Sequence, residues 1–199
     1  MKIGKRVLAL LCCVWVLIVL YPNPVIVPLN VYRVFNPPVD PVAVRDISAQ
    51  LPNNANVVGE FLGNELEYDY DWKVYSVPWY FPTPAEVWEK GKGDCKGRSI
   101  LFASILEEKG IDYEIYFSPI HFWVDYEGKP ISDFEEKYEM GRPHPYEEIL
   151  ERWAECLWYP MPLGRKVLLF AGLVCIISAN KIIAIGFWIH RKKPQTASS

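Results

Sequence analysis

The sequence predicts an α+β domain, a helix carrying a cysteine and packed on an antiparallel β-meander, flanked by two transmembrane helices. Three observations predict it. Two apolar runs, Val7 to Tyr21 and Val167 to Ile189, bracket the middle of the chain. Between them the apolar residues follow a helical period from about Lys96 to Lys109, then a period of two from Tyr113 to Phe134. Charge divides along the same lines: all 24 Asp and Glu lie between Pro22 and Gly164 beside 12 of the 21 Lys and Arg, a net −12 within a chain whose formal total is −3. Such a segment repels phosphate backbones, and this excludes nucleic acid as a partner.

Residues 1–21 read as an N-terminal transmembrane anchor, because Lys2, Lys5 and Arg6 precede the first apolar run. At about 1.5 Å per residue that run covers roughly 22 Å of a hydrocarbon core of about 30 Å, so Pro22 to Val27 contribute or the bilayer thins. No small-x-small cleavage site follows it, which favours an uncleaved anchor over a removed signal peptide. Residues 22–56 begin with Pro22, Pro24, Pro28, Pro37, Pro38 and Pro41 and read as an extended proline-rich linker.

The core is assigned to residues 57–138. A short helix is expected over Val57 to Leu66. Thr83-Pro84-Ala85-Glu86 starts another, with Thr83 as cap, Pro84 at the first position and Glu86 completing a capping box. Gly91 and Gly93 end it. The next helix, Lys96 to Lys109, is apolar on more than one side, which implies burial, and Gly110 closes it. Strands are then expected at Tyr113 to Phe117, His121 to Tyr126 and about Lys129 to Phe134, with Ser118-Pro119 and Glu127-Gly128 as turns.

Residues 139–164 hold an amphipathic helix opened by Pro145, with Tyr146, Ile149, Leu150, Trp153, Leu157 and Trp158 on one stripe. That stripe either packs on the domain or lies at a membrane interface, and the sequence leaves both open. Residues 165–199 form the second transmembrane helix and a basic tail, Arg191, Lys192 and Lys193. Lys181, the single charge in the apolar run, is placed to snorkel toward that basic end. Basic residues at both outer ends predict a two-span membrane protein with both termini cytoplasmic and the acidic middle outside, against the weaker opposing signal of Arg165 and Lys166.

Cys95 follows Gly91-Lys92-Gly93-Asp94 where a loop becomes a helix. A thiol attacks as thiolate, and the unpaired N–H groups and dipole of a helix start lower its pKa and can hold an oxyanion. His121 and Asp133 lie downstream. A three-residue Tyr126-Glu127-Gly128 hairpin loop would set His121 opposite Asp133, their Cβ atoms about 4.5–5.5 Å apart. Asp125, roughly 13 Å from His121 along one strand, is out of reach, and a two-residue loop would turn Asp133 to the wrong face. A metal site from Cys95, His121 and Asp133 lacks paired spacing and a fourth ligand. A Cys95–Cys156 disulfide is the competing use of the thiol in an oxidising compartment.

The boxes Thr83-Pro84-Ala85-Glu86-Val87, Gly91-Lys92-Gly93-Asp94-Cys95, Leu106 to Ile111, His121-Phe122-Trp123-Val124 and Asp133 resemble, in order, those of the transglutaminase-like superfamily. The resemblance implies a papain-like transglutaminase core in which Cys95 is nucleophile, His121 general base and acid, and Asp133 the orienter. The family often carries Asp-Pro-Thr at its third box, where this chain has Asp133-Phe134-Glu135. The implied activity is a membrane-tethered cysteine hydrolase or acyltransferase that cleaves or transfers peptide and amide acyl groups through a thioester, with hydrolysis weakly favoured over cross-linking. Its substrate would be a cell-surface peptide or protein amide, and no metal or organic cofactor is implied. The alternative is a catalytically inactive binding or assembly module at the membrane surface, with the chain's 15% aromatic residues as a recognition surface.

Overall fold

The computed structural model describes residues 4–130 and 145–191, with side chains described as far as Ile182. Helices α1 (Lys5–Leu20), α2 (Ile26–Phe35), α3 (Arg45–Ser48) and α4 (Ala55–Glu65) come first. Strand β1 (Glu67–Tyr68), helices α5 (Asp71–Val74) and α6 (Pro84–Lys90), strand β2 (Lys92–Gly93) and helix α7 (Cys95–Lys109) follow. A hairpin of β3 (Tyr113–Phe117) and β4 (Phe122–Tyr126) precedes α8 (Tyr146–Trp153), a π-helical turn (Ala154–Trp158) and α9 (Leu163–Arg191).

The expected papain-like α+β core, flanked by two transmembrane helices, is not what these elements build. Helix dominates. The strands form two separate pairs, a two-residue parallel contact of β1 with β2 and the antiparallel β3–β4 hairpin. No three-stranded meander exists among the described residues. At Tyr126 β4 ends in a turn with Gly128 at φ 78° and the Lys129 N–H donating to the Tyr126 carbonyl (3.2 Å), and the two short strand pairs leave helix as the bulk of the fold. Of the expected third strand, about Lys129 to Phe134, all but the first two residues fall in 131–144 together with Asp133, outside the described residues.

The chain divides into two compact units, residues 1–24 with 162–199, and residues 25–161. In the first, α9 contains a 20-residue window, Leu163–Ile182, of mean hydropathy 1.6, long and apolar enough to cross a membrane. Helix α1 has 16 residues, roughly 24 Å at 1.5 Å per residue, and falls short of a core of about 30 Å. It packs along α9: the Trp15 indole Nε1 donates to the Leu169 carbonyl (3.2 Å), and the Arg165 guanidinium donates to the Val19 carbonyl. Gly172 makes this approach feasible, since a Cβ there would come within 2.0 Å of the Trp15 ring. Gly172→Leu is therefore expected to part the two helices. A cross-linker joining α1 to α9 in the wild-type chain should lose its product in this variant, and an unchanged yield would refute the packing.

The expected extended linker, residues 22–56, is instead largely helical from residue 26 on, within the second unit. Pro28 occupies the first turn of α2, where a missing N–H costs nothing, so the helix forms around it. Asn30, 1% exposed, clamps α2 to a distant segment, its Nδ2 donating to the Trp79 carbonyl (2.7 Å) and its Oδ1 accepting from the Phe81 N–H (3.0 Å). The Arg33 guanidinium donates to the Phe81 carbonyl.

Two sequence expectations hold closely. At the start of α6 the Thr83 Oγ1 accepts from the Glu86 N–H (3.3 Å) and Glu86 Oε2 accepts from the Thr83 N–H (2.7 Å), the expected capping box. Helix α7 ends at Gly110 in the left-handed conformation, φ 65°. As its all-round apolarity requires, α7 is central. Leu101 and Ile105 pack with Val44, Val58, Leu62 and Val87, whereas Ala103 and Leu106 meet Val124 of β4. Gly97 lets the helix start come close to the preceding loop, where a Cβ would meet Pro82 and Val87 at 3.2 Å.

Candidate functional site

Cys95 is the first residue of α7 and a free, partly buried thiol. Its sulfur sits against the start of β4. Cys95 packs beside the cluster of Phe81, Ile100 and Phe122, and the Phe122 N–H is directed at the sulfur. The expectation of a lowered thiol pKa fails. Burial, and then the Asp94 carboxylate, push Cys95 up to about 11, against the smaller opposing pull of Lys96 and the Phe122 N–H.

Asp94 is the reason the helix start behaves this way. As N-cap, its Oδ1 accepts from the N–H groups of Lys96 (3.0 Å) and Gly97 (3.3 Å), so two of the amides expected to face an oxyanion already hold a carboxylate. A full negative charge at that end cancels the positive pole of the helix. The Cys95 N–H stays outside the cap.

His121 immediately precedes β4, one residue from the Phe122 main chain that touches the sulfur. Its ring stacks on Trp123 (5.6 Å, 13°), and Trp123 stacks on Tyr116 across the hairpin (5.7 Å, 18°). The alternating residues Phe122 and Val124 pack toward α7. The hairpin therefore brings the His121 backbone to Cys95 while turning its imidazole to the Trp123 side. Asp133, the third expected member, lies outside the described residues.

Beside Cys95 is a buried ionic cluster that sequence reasoning missed. The Lys96 Nζ donates to Asp71 Oδ2 (2.9 Å) and to Asp94 Oδ2, and all three residues are at most 7% exposed. Asp71 Oδ2 also accepts from the Tyr80 N–H (2.8 Å). Burial raises the Asp71 pKa against the pull of Lys96. Burial alone would lower the Lys96 ammonium, but the Asp94 and Asp71 carboxylates outweigh it and hold it above its ordinary range. Asp71 stands 25 positions before Lys96, and no helical or strand period spans such a gap.

Two tyrosines and a second thiol complete the surroundings. Tyr68 and Tyr70 meet edge to face (5.8 Å). Tyr68 is raised by burial and by the charges of Cys95 and Asp94, and the Arg152 side chain bonds to Tyr70. Cys156, one turn beyond Arg152, lies close enough to Cys95 for its charge to add to the rise of the Cys95 pKa, and Cys156 itself is raised by burial and then by the Asp94 carboxylate. Both are free thiols, so the pair is not bridged.

Among the described residues no group of three or more His, Cys, Asp and Glu could hold a metal ion. A cavity of about 650 Å³ opens between α2 and β3, lined by Val34, Phe35, Ile115, Phe117 and Phe122 among others, and neither Cys95 nor His121 lines it. Comparison with models of protein families, with curated proteins and with solved structures gives no match to this chain.

Proposed function

We propose that the chain is a membrane-tethered cysteine acyl-transfer enzyme with Cys95 as nucleophile and His121 as general base, acting on peptide or protein amides. One observation carries the reading: a free, partly accessible thiol opens α7 and touches the main chain directly after His121. The resemblance to the transglutaminase-like superfamily supports the same two residues and adds Asp133 as orienter of the imidazole.

With its pKa at about 11, the resting thiol is protonated at neutral pH, so attack is general-base-assisted. The step requires the His121 side chain, which precedes β4, to swing from its stack on Trp123 to the sulfur. The sulfur adds to the amide carbonyl carbon as its proton passes to the imidazole. The C–N bond then breaks, and the imidazolium protonates the departing amine and leaves a thioester. Water attacks the thioester, giving its proton to His121, and the carboxylic acid departs as the thiol re-forms. The Cys95 N–H is the donor available to the tetrahedral oxygen.

The tether is α9, with the basic residues Arg191 to Lys193 on the cytoplasmic side and the acidic segment 25–161 outside. Protease added to intact cells should then degrade that segment, and protection would overturn this orientation.

A second reading, an inactive binding module, is favoured by the raised thiol and by the stacking of His121 on Trp123. Turnover of amide substrates by the full chain separates the two. In the enzyme, Cys95→Ala and His121→Ala both abolish turnover. Turnover that survives Cys95→Ala, or thiol alkylation that only climbs toward pH 11 with no turnover at all, rejects the enzyme.

A further inference from the structure

Helix α8 and its π-helical extension carry Tyr146, Leu150, Trp153 and Leu157, spaced by four, three and four residues and so aligned on one face. They are 70%, 46%, 47% and 37% exposed, and among the described residues no residue of α8 or its extension is buried. The segment is nevertheless held in place. Arg152 bonds to Tyr70, Cys156 approaches Cys95, Trp72 Nε1 donates to the Leu157 carbonyl (2.6 Å), and Trp153 Nε1 donates to the Pro119 carbonyl (3.0 Å). An amphipathic helix in water turns its apolar face inward. Here Ile149 and Cys156, seven residues apart and half-buried, take the inward side and the apolar stripe is left outward.

The chain itself indicates what covers that stripe. Leu163, where the membrane-length window begins, follows Trp158 by five positions, a reach of at most about 18 Å. If Leu163 enters hydrocarbon, the C-terminal end of the stripe is held within that reach of the headgroup layer, the depth that aromatic side chains favour. Glu147 and Glu151 are exposed on the same helix and repel anionic headgroups.

We propose that the outward stripe of α8 docks into the zwitterionic headgroup layer of the bilayer that α9 enters. The proposal rests on the reading of α9 as a membrane span. In the test, p-benzoylphenylalanine replaces Leu150, Glu151 or Val174, one at a time, in the full chain in phosphatidylcholine vesicles. After irradiation, lipid adducts are read by mass spectrometry. Val174, 62% exposed on α9, reports the span. Adducts at Val174 and Leu150, with loss of the adduct at Glu151, are the expected result. An adduct at Val174 with none at Leu150, or a Leu150 product joined to protein, overturns the docking and leaves the span standing. No adduct at Val174 overturns the span and the docking with it. Vesicles enriched in phosphatidylserine should lower the Leu150 yield, and an undiminished yield overturns the preference for zwitterionic lipid.

Discussion

Lys96→Met is expected to cost about 3–5 kcal/mol of folding stability, the loss that follows when one partner of a buried ion pair is removed. Lys96 lies between Asp71 and Asp94, and all three are nearly inaccessible to water. Methionine matches the length of the stem but leaves two carboxylates facing each other in a medium that solvates neither. The pH dependence carries a definite sign. With Lys96 gone, its lowering influence on Asp71 disappears, so a folded-state pKa already raised by burial rises further. A carboxyl group whose folded pKa exceeds its unfolded value favours unfolding once it is ionised. The deficit is thus largest at and above neutral pH and shrinks as acid protonates the carboxylates. Urea titrations of the full chain across pH measure it. Adding Asp71→Asn to Lys96→Met should recover part of the loss, because one buried charge is removed. A neutral-pH loss below about 1 kcal/mol, the range of exposed pairs, would show that the cluster is not buried.

Cys95→Ala and His121→Ala are expected to lower turnover by at least about 10³-fold each, since a nucleophile and its base act as a unit. For the same reason the double variant should fall little below either single one. Cys95→Ser distinguishes chemistry from folding: it preserves the volume and a donor but is a far weaker nucleophile under one base, so turnover is lost while the denaturation midpoint barely moves. Additive losses in the double variant would indicate independent roles and remove His121 as the base of Cys95.

Local signals were read well because they are carried by residues a few positions apart. Thr83 and Glu86 form their box within one turn, Gly110 ends α7 through its own φ, and the β3–β4 pairing is set by alternation in two adjacent stretches. The helix start bearing Cys95 was legible for the same reason. What failed was electrostatic and non-local. The glycines before Cys95 suggested open amides, but Asp94 fills them with its own carboxylate, and Asp71 reaches Lys96 from a separate helix. Which side of β4 meets α7 was not legible either, because alternation alone does not say whether Phe122 and Val124 or His121 and Trp123 cover Ala103 and Leu106. Proline counting misread residues 22–56, since Pro28 in a first turn is compatible with a helix.

The Asn30 clamp has a consequence for the order of assembly. Helix α6, strand β2, helix α7 and the hairpin follow one another in the chain and meet through short closures, whereas Asn30 grips Trp79 and Phe81 across 49 and 51 positions. Loop entropy makes such a distant grip a late event, absent from the folding transition state. Asn30 accordingly governs how slowly the native state opens far more than how quickly it forms.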